Sequence, residues 1–164
     1  IFNEALREQK YQGMGTTVVV AVASKERILI SHIGDSRAYK ISASGVDQLT
    51  EDHSLVNELV KQGQLSREEA NHHPRRNVLT QALGTEENIT IDNCDVQWSE
   101  NEMLMLCSDG LTDLIHPQRM HEILRASGAL QWKVDRLVES ALEAGGDDNV
   151  TVVLISNEKA EDGE

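Results

Sequence analysis

Apolar and polar positions change rhythm twice along this chain, giving a strand-rich opening, a helical middle and a mixed close. Residues 16–23 and 28–33 are β-branched runs separated by the polar Ser24-Lys25-Glu26-Arg27, which predicts a hairpin. Residues 38–41 and 46–49, joined by Ser42-Ala43-Ser44-Gly45, continue the pattern as a meander. Four short strands with short polar connections are expected to share one antiparallel sheet. Ahead of them, residues 1–12 read as a helix with Glu4, Arg7, Glu8 and Lys10 in water, broken at Gly13 to Gly15.

The period then changes. Leu55, Val56, Leu59 and Val60 recur at helical spacing, and Gly63 closes that helix. Ser66 and Glu69 form a capping box for a second short helix. Strands are expected again at 78–83, 89–98 and 103–107, with the register of 92–98 ambiguous because it alternates only loosely. Pro117 allows a helix over 118–126 with Met120, Ile123 and Leu124 on one face. Val134, Leu137, Val138, Ala141 and Leu142 predict a second amphipathic helix, ended by Gly145-Gly146. A last strand covers 150–156, and the acidic stretch 157–164 reads as a tail. The sequence shows no internal repeat and no second domain.

Composition narrows the function. The 164 residues carry 15 Lys plus Arg against 28 Asp plus Glu, a net charge of −13. That argues against nucleic acid and anionic membrane as partners, since both require basic surface. Aromatic residues make up only 3%, so the core must rest on Val, Ile, Leu, Met and Ala. No apolar stretch long enough to span a membrane and no signal-like segment occurs in the sequence. Cys94 and Cys107 both fall in strand-like surroundings and lack zinc or redox spacing, so burial as thiols and a cytoplasmic setting are expected.

The chemistry gathers at strand ends. The apolar run Met103 to Cys107 stops at Ser108-Asp109-Gly110, so an acid sits where the strand leaves the core. If a helical turn follows, Asp109 and Asp113 share one face, and two close carboxylates repel unless a proton or cation lies between them. Hard divalent cations such as Mg²⁺ and Mn²⁺ take oxygen ligands of this kind. The alternative is that Asp109 caps the helix while Asp113 is solvated. Asp35, in Ile33-Gly34-Asp35-Ser36-Arg37, and Asp147-Asp148-Asn149 occupy comparable places beside other apolar runs. Three such strand ends suggest one converging acidic site.

Gly13-Met14-Gly15-Thr16-Thr17, His32-Ile33-Gly34-Asp35-Ser36-Arg37-Ala38-Tyr39, Ser108-Asp109-Gly110 and Asp148-Asn149-Val150-Thr151 occur in that order. The set resembles the later motifs of the metal-dependent (PPM, type 2C) protein serine/threonine phosphatases in their bacterial form. His73-Pro74-Arg75-Arg76-Asn77, followed by Leu79-Thr80-Gln81-Ala82-Leu83-Gly84, is similar to the same group.

The resemblance implies an α+β fold, an antiparallel β-sandwich flanked by helices, with residues 1–156 as a partial catalytic domain and a flap at about 52–77. Its opening third, with a phosphate-binding arginine and an Asp-Gly motif that bridges two metals, has no counterpart before Gly13. The implied chemistry is hydrolysis of phosphoserine and phosphothreonine by a water held between two Mn²⁺ or Mg²⁺ ions and made acidic by them. Asp109 and Asp148 match ligands of the paired metals. Asp35 and Asp113 match ligands of an additional metal that Asp109 also touches. Asn149 is expected to shape its turn, Arg37 to make a structural ion pair and Asp147 to stay solvated or outside the metal shell. Arg75 and Arg76 either meet the acidic surface of a phosphoprotein or pair with Glu68 and Glu69, and His72 and His73 read as a loop pair rather than ligands. The implied partners are phosphoproteins, including a cognate serine/threonine kinase. The other reading is a phosphatase-like module that binds phosphoproteins without turnover. Sheets that lack strand partners expose raw edges and invite dimerisation or swapping. The purified chain is therefore expected to run as a dimer or larger species in size-exclusion chromatography with light scattering; a stable monomer would refute this.

Overall fold

The computed structural model describes residues 1–157. The acidic tail expected over 157–164 lies, except for Asn157, outside the described residues. The elements follow in the order α1 (Phe2–Arg7), β1 (Val18–Ala23), β2 (Arg27–Ile33), β3 (Arg37–Ile41), β4 (Val46–Gln48), α2 (Leu55–Lys61), α3 (Arg67–Asn71), β5 (Asp92–Gln97), β6 (Met103–Cys107), α4 (Asp109–Thr112), α5 (Pro117–Arg125), α6 (Leu130–Glu143) and β7 (Val152–Ser156). A 3₁₀ turn, Gln9–Tyr11, follows α1.

Two sheets result. One has the order β1-β2-β5, the other β4-β3-β6-β7. The expected meander is therefore corrected: β2 and β3, consecutive in sequence, belong to different sheets. The break lies at Gly34, whose φ of +101° turns the chain out of the strand direction. The β1-β2 hairpin forms as expected, closed by Ser24 N–H donating to Arg27 O at 2.8 Å. A strand over 78–83 does not form. That segment makes single bridges, Ser54 to Leu79 and Thr16 to Leu83, and Val78 is exposed. The opening helix is also shorter than expected, because Glu8 is extended at φ −122° and ψ 115°.

The chain divides into two units. Among the described residues, the first comprises 1–20, 31–36 and 51–93, and the second comprises 21–30, 37–50 and 94–157. In the first, α2 is capped by Ser54, which accepts from Asn57 N–H at 3.4 Å. The capping box of α3 forms as read, with Ser66 and Glu69 satisfying each other's backbone N–H groups. The Glu69 carboxyl is held below its ordinary value by the Ser66 backbone N–H and then by the Ser66 hydroxyl.

The second unit contains the antiparallel four-stranded sheet and α4 to α6. β6 pairs with β3 from Arg37↔Cys107 to Ile41↔Met103, and with β7 from Met103↔Ser156 to Cys107↔Val152. Tyr39, Ile41, Met103, Met105 and Cys107 pack with Met120, Ile123, Leu124, Leu137 and Ala141 in one apolar cluster. Leu104, on the alternate face of β6, is also fully buried, so β6 is covered on both sides and reads as an unbroken apolar run. Pro117 occupies the first turn of α5, where its missing N–H costs nothing. On α6 the packed face is Leu137, Ser140 and Ala141, whereas Leu142, expected on that stripe, is exposed. Among the described residues no helix is long and apolar enough to cross a membrane. Cys107 is buried and Cys94 half-buried, and the two are not joined in a disulfide.

Removal of the Leu137 side chain leaves a hole in this cluster. Leu137→Ala should cost about 3 kcal/mol in urea unfolding, against less than about 0.5 kcal/mol for Leu6→Ala on the exposed face of α1.

Candidate metal centre

The second unit builds its acidic site where β6 ends and β7 begins. Ser108 is extended, at φ −77° and ψ 165°, and α4 starts at Asp109. Ser108 clamps the two strand ends together. Its N–H donates to Thr151 O at 3.1 Å. Its hydroxyl donates to Asn149 O at 3.0 Å and accepts from Thr151 N–H at 3.0 Å. Gly110 lets the loops close further, since a Cβ there would stand 2.5 Å from Asn149 O. Only glycine fits that approach.

The clamp places three carboxylates in one field. The helical turn expected after Gly110 forms, with Asp113 N–H donating to Asp109 O at 2.9 Å, so both acids lie on one face. The Asp109 carboxyl is raised above its ordinary value, first by burial, then by the charges of Asp113 and Asp148. The Gly110 N–H, donating to Asp109 Oδ1 at 2.9 Å, opposes the rise without overcoming it. Asp109 therefore does not act as a conventional helix cap. Asp148 Oδ1 accepts from Asn149 N–H at 2.6 Å, so Asn149 shapes the turn through its backbone. Asp113, Asp147 and Asp148 are exposed.

The remaining candidates belong to other segments of the chain. Asp35 is half-buried in the first unit, in the turn between β2 and β3. Arg37, at the start of β3, donates from Nη1 to the Tyr39 hydroxyl at 3.3 Å. Arg75 and Arg76 are exposed in the loop after α3. His73 accepts the Arg75 N–H on Nδ1 at 3.1 Å, so it serves the loop's own turn. Sequence reasoning missed Ser108 as the clamp and His53 as a buried partner of the Asp35 turn. A serine or histidine that bonds backbone atoms leaves no periodic trace, and only their places beside the motifs mark them.

A model of the family described as Protein phosphatase 2C matches residues 1–143. The chain belongs to that family. It is 43% identical over 148 residues to the serine/threonine phosphatase Stp of Listeria welshimeri, covering 90% of this chain and 59% of that protein. The crystal structure of the serine/threonine phosphatase Stp1 from Staphylococcus aureus superposes with a TM-score of 0.91 at 37% identity, over 94% of this chain and 61% of the other. The catalytic domain of the serine/threonine protein phosphatase PstP, in complex with two manganese ions, gives 0.81 at 32% identity, over 93% of this chain and 63% of that one. This protein phosphatase 2C chain thus spans about three fifths of the length of the curated relatives it matches. Its α+β class, with antiparallel sheets and helices, is that of the solved phosphatases.

The donor set fits a hard divalent cation. Asp109, Asp113 and Asp148 offer oxygen donors of the kind such an ion takes, and the half-buried Asp109 is destabilised as an anion by its two neighbours. A cation removes that penalty. The sign of the pH effect follows. Because folding raises the Asp109 carboxyl above its unfolded value, its contribution to stability is full in acid and is lost as pH rises through the raised value. Asp109→Asn should therefore melt higher than the metal-free parent at neutral pH. The gap should grow as pH rises from the ordinary aspartate range, and the Mn²⁺-induced rise in Tm should disappear in the variant. Differential scanning calorimetry with and without Mn²⁺ checks all three.

Proposed function

We propose that the protein hydrolyses phosphoserine and phosphothreonine in other proteins, using divalent metal ions. The observation that carries this reading is the convergence of Asp109, Asp113 and Asp148, held by Ser108 and Gly110, in a chain of the protein phosphatase 2C family. Asp109 and Asp148 are the ligands of the catalytic metals. Asp113 and Asp35 are ligands of an additional ion, Asp35 on the strength of its motif. Mn²⁺ or Mg²⁺ is the metal, as the oxygen donor set favours and as the manganese-bound relative supports. When bound, such ions supply a water acidic enough to attack phosphorus at neutral pH and a positive field for the phosphate oxygens. The chain's own part is to keep the carboxylates grouped and fixed. The Ser108 clamp holds Asp109 beside Asp148, and the first turn of α4 fixes Asp113 behind them.

Substrate contact is assigned to Arg75 and Arg76, whose exposed guanidinium groups suit an acidic or phosphorylated protein surface. A serine/threonine kinase whose own phosphorylated residues need removal is the natural cognate protein. The cytoplasm is the matching compartment, supported by two cysteines that are not joined in a disulfide.

The deciding assay is phosphate release from a phosphothreonine peptide by the full-length protein, with Mn²⁺ or a chelator present. Asp109→Ala is expected to lower kcat by at least about a hundredfold. Turnover that survives chelation or the substitution would sink the reading. Phosphopeptide binding without turnover would instead favour a recognition module.

A further inference from the structure

The Gly34-Asp35-Ser36 turn is held by side chains that the proposed chemistry does not use. Gly34 has φ +101°, and a Cβ there would fall 2.3 Å from Thr17 Cγ2. Thr17 Oγ1 shares a 2.8 Å hydrogen bond with Ser36 Oγ. His53 grips Gly34 twice. The His53 backbone N–H donates to Gly34 O at 3.0 Å, and Gly34 N–H donates to His53 Nδ1 at 3.2 Å. Both peptide planes that flank Gly34 are thereby fixed, including the one that leads into Asp35.

The ring itself is locked. His53 is 7% exposed, its Nε2 lies 3.2 Å from Asp92 Oδ2, and the His32 ring stacks on it at 4.9 Å between centroids. His32 Nε2 is in turn 2.8 Å from Glu51 O. The proton pattern follows from these contacts. Nδ1 of His53 accepts a hydrogen bond, so the neutral ring carries its proton on Nε2, directed at Asp92.

His32, His53 and Asp92 bring donor atoms within 4.8 Å of one another, a spacing that could hold a metal. The hydrogen bonds oppose that use. A histidine that ligates a metal donates its other ring N–H, whereas here the other nitrogen accepts one. Metal on Nε2 would require an imidazolate or the loss of the Gly34 bond. The cluster is organised around the turn.

We infer that His53 is a positioning residue: its Nδ1 fixes the Gly34 peptide and so the direction in which Asp35 offers its carboxylate to a divalent cation. The inference rests on the proposed role of Asp35 as a metal ligand. Asp92 and His32 act through His53, by setting its tautomer and its ring plane.

Two substitutions separate the functions of the ring. His53→Asn keeps an amide oxygen close to the place of Nδ1, while His53→Gln keeps an amide N–H close to the place of Nε2. Mn²⁺ titrations followed by electron paramagnetic resonance should show binding weakened about tenfold in His53→Gln and by less than about threefold in His53→Asn. Thermal unfolding of both is measured alongside. Equal losses that track stability, or a loss confined to His53→Asn, would overturn the inference. Asp35→Ala tests the underlying reading separately. If it leaves Mn²⁺ binding unchanged, Asp35 is not a ligand and both ideas fall. If it weakens binding while His53→Gln does not, only the positioning role falls. Nitrogen-15 NMR of the unsubstituted protein gives an independent readout. An unprotonated Nδ1 on His53 is expected, and a proton on Nδ1 would refute the inference.

Discussion

Everything at the acidic site depends on how closely the backbones at the ends of β6 and β7 approach. Ser108 makes three hydrogen bonds across the gap, and Gly110 removes the one atom that would hold the loops apart. The carboxylates themselves would separate if left free, because each raises the cost of ionising its neighbour. These hydrogen bonds, each worth about 1 kcal/mol net, supply a restraint that the charges cannot supply for themselves. The repulsion is stored in the fold, as the raised Asp109 carboxyl shows.

A second restraint of the same kind acts on the other unit. At Gly34 the chain leaves one sheet for another through a backbone conformation open only to glycine. A conformation of that sort persists when its surroundings over-determine it. Thr17, Ser36 and His53 do so here, by hydroxyl, backbone and ring contacts. Both acid-bearing loops thus follow one scheme: a glycine that permits the turn and a small polar or ring side chain that fixes it.

Much of this was legible from the amino acids. β6 was readable to its last residue, because a strand covered on both faces must be apolar throughout. Asp109 and Asp113 were readable as a pair from their spacing, and the α5 stripe of Met120, Ile123 and Leu124 was correct. The partners of strands were not readable. Periodicity marks a strand but not its neighbour, so the first four strands looked like one meander and are split between two sheets. The segment 78–83 has strand-like side chains, yet it meets its neighbours one residue at a time, and β propensity records such surroundings rather than a ladder. Leu142 was misplaced because a stripe of five on α6 is wider than the face the cluster covers. Ser108 and His53 escaped notice since their bonds go to backbone, which any sequence provides.

The register of the four-stranded sheet has a kinetic corollary. β3 finds its partner in β6, so position 37 must meet position 107 before the sheet exists. Everything between them, including α2, α3 and β5, has to be threaded or looped out first, and long-range closure of this kind makes folding slow. Cys107 and Val152 meet across a shorter stretch of chain, so the β6-β7 pairing and the Ser108 clamp need no prior closure of β3 on β6. The three carboxylates are thus gathered by the nearer of the two closures that β6 makes, and their mutual repulsion has to be overcome at that step.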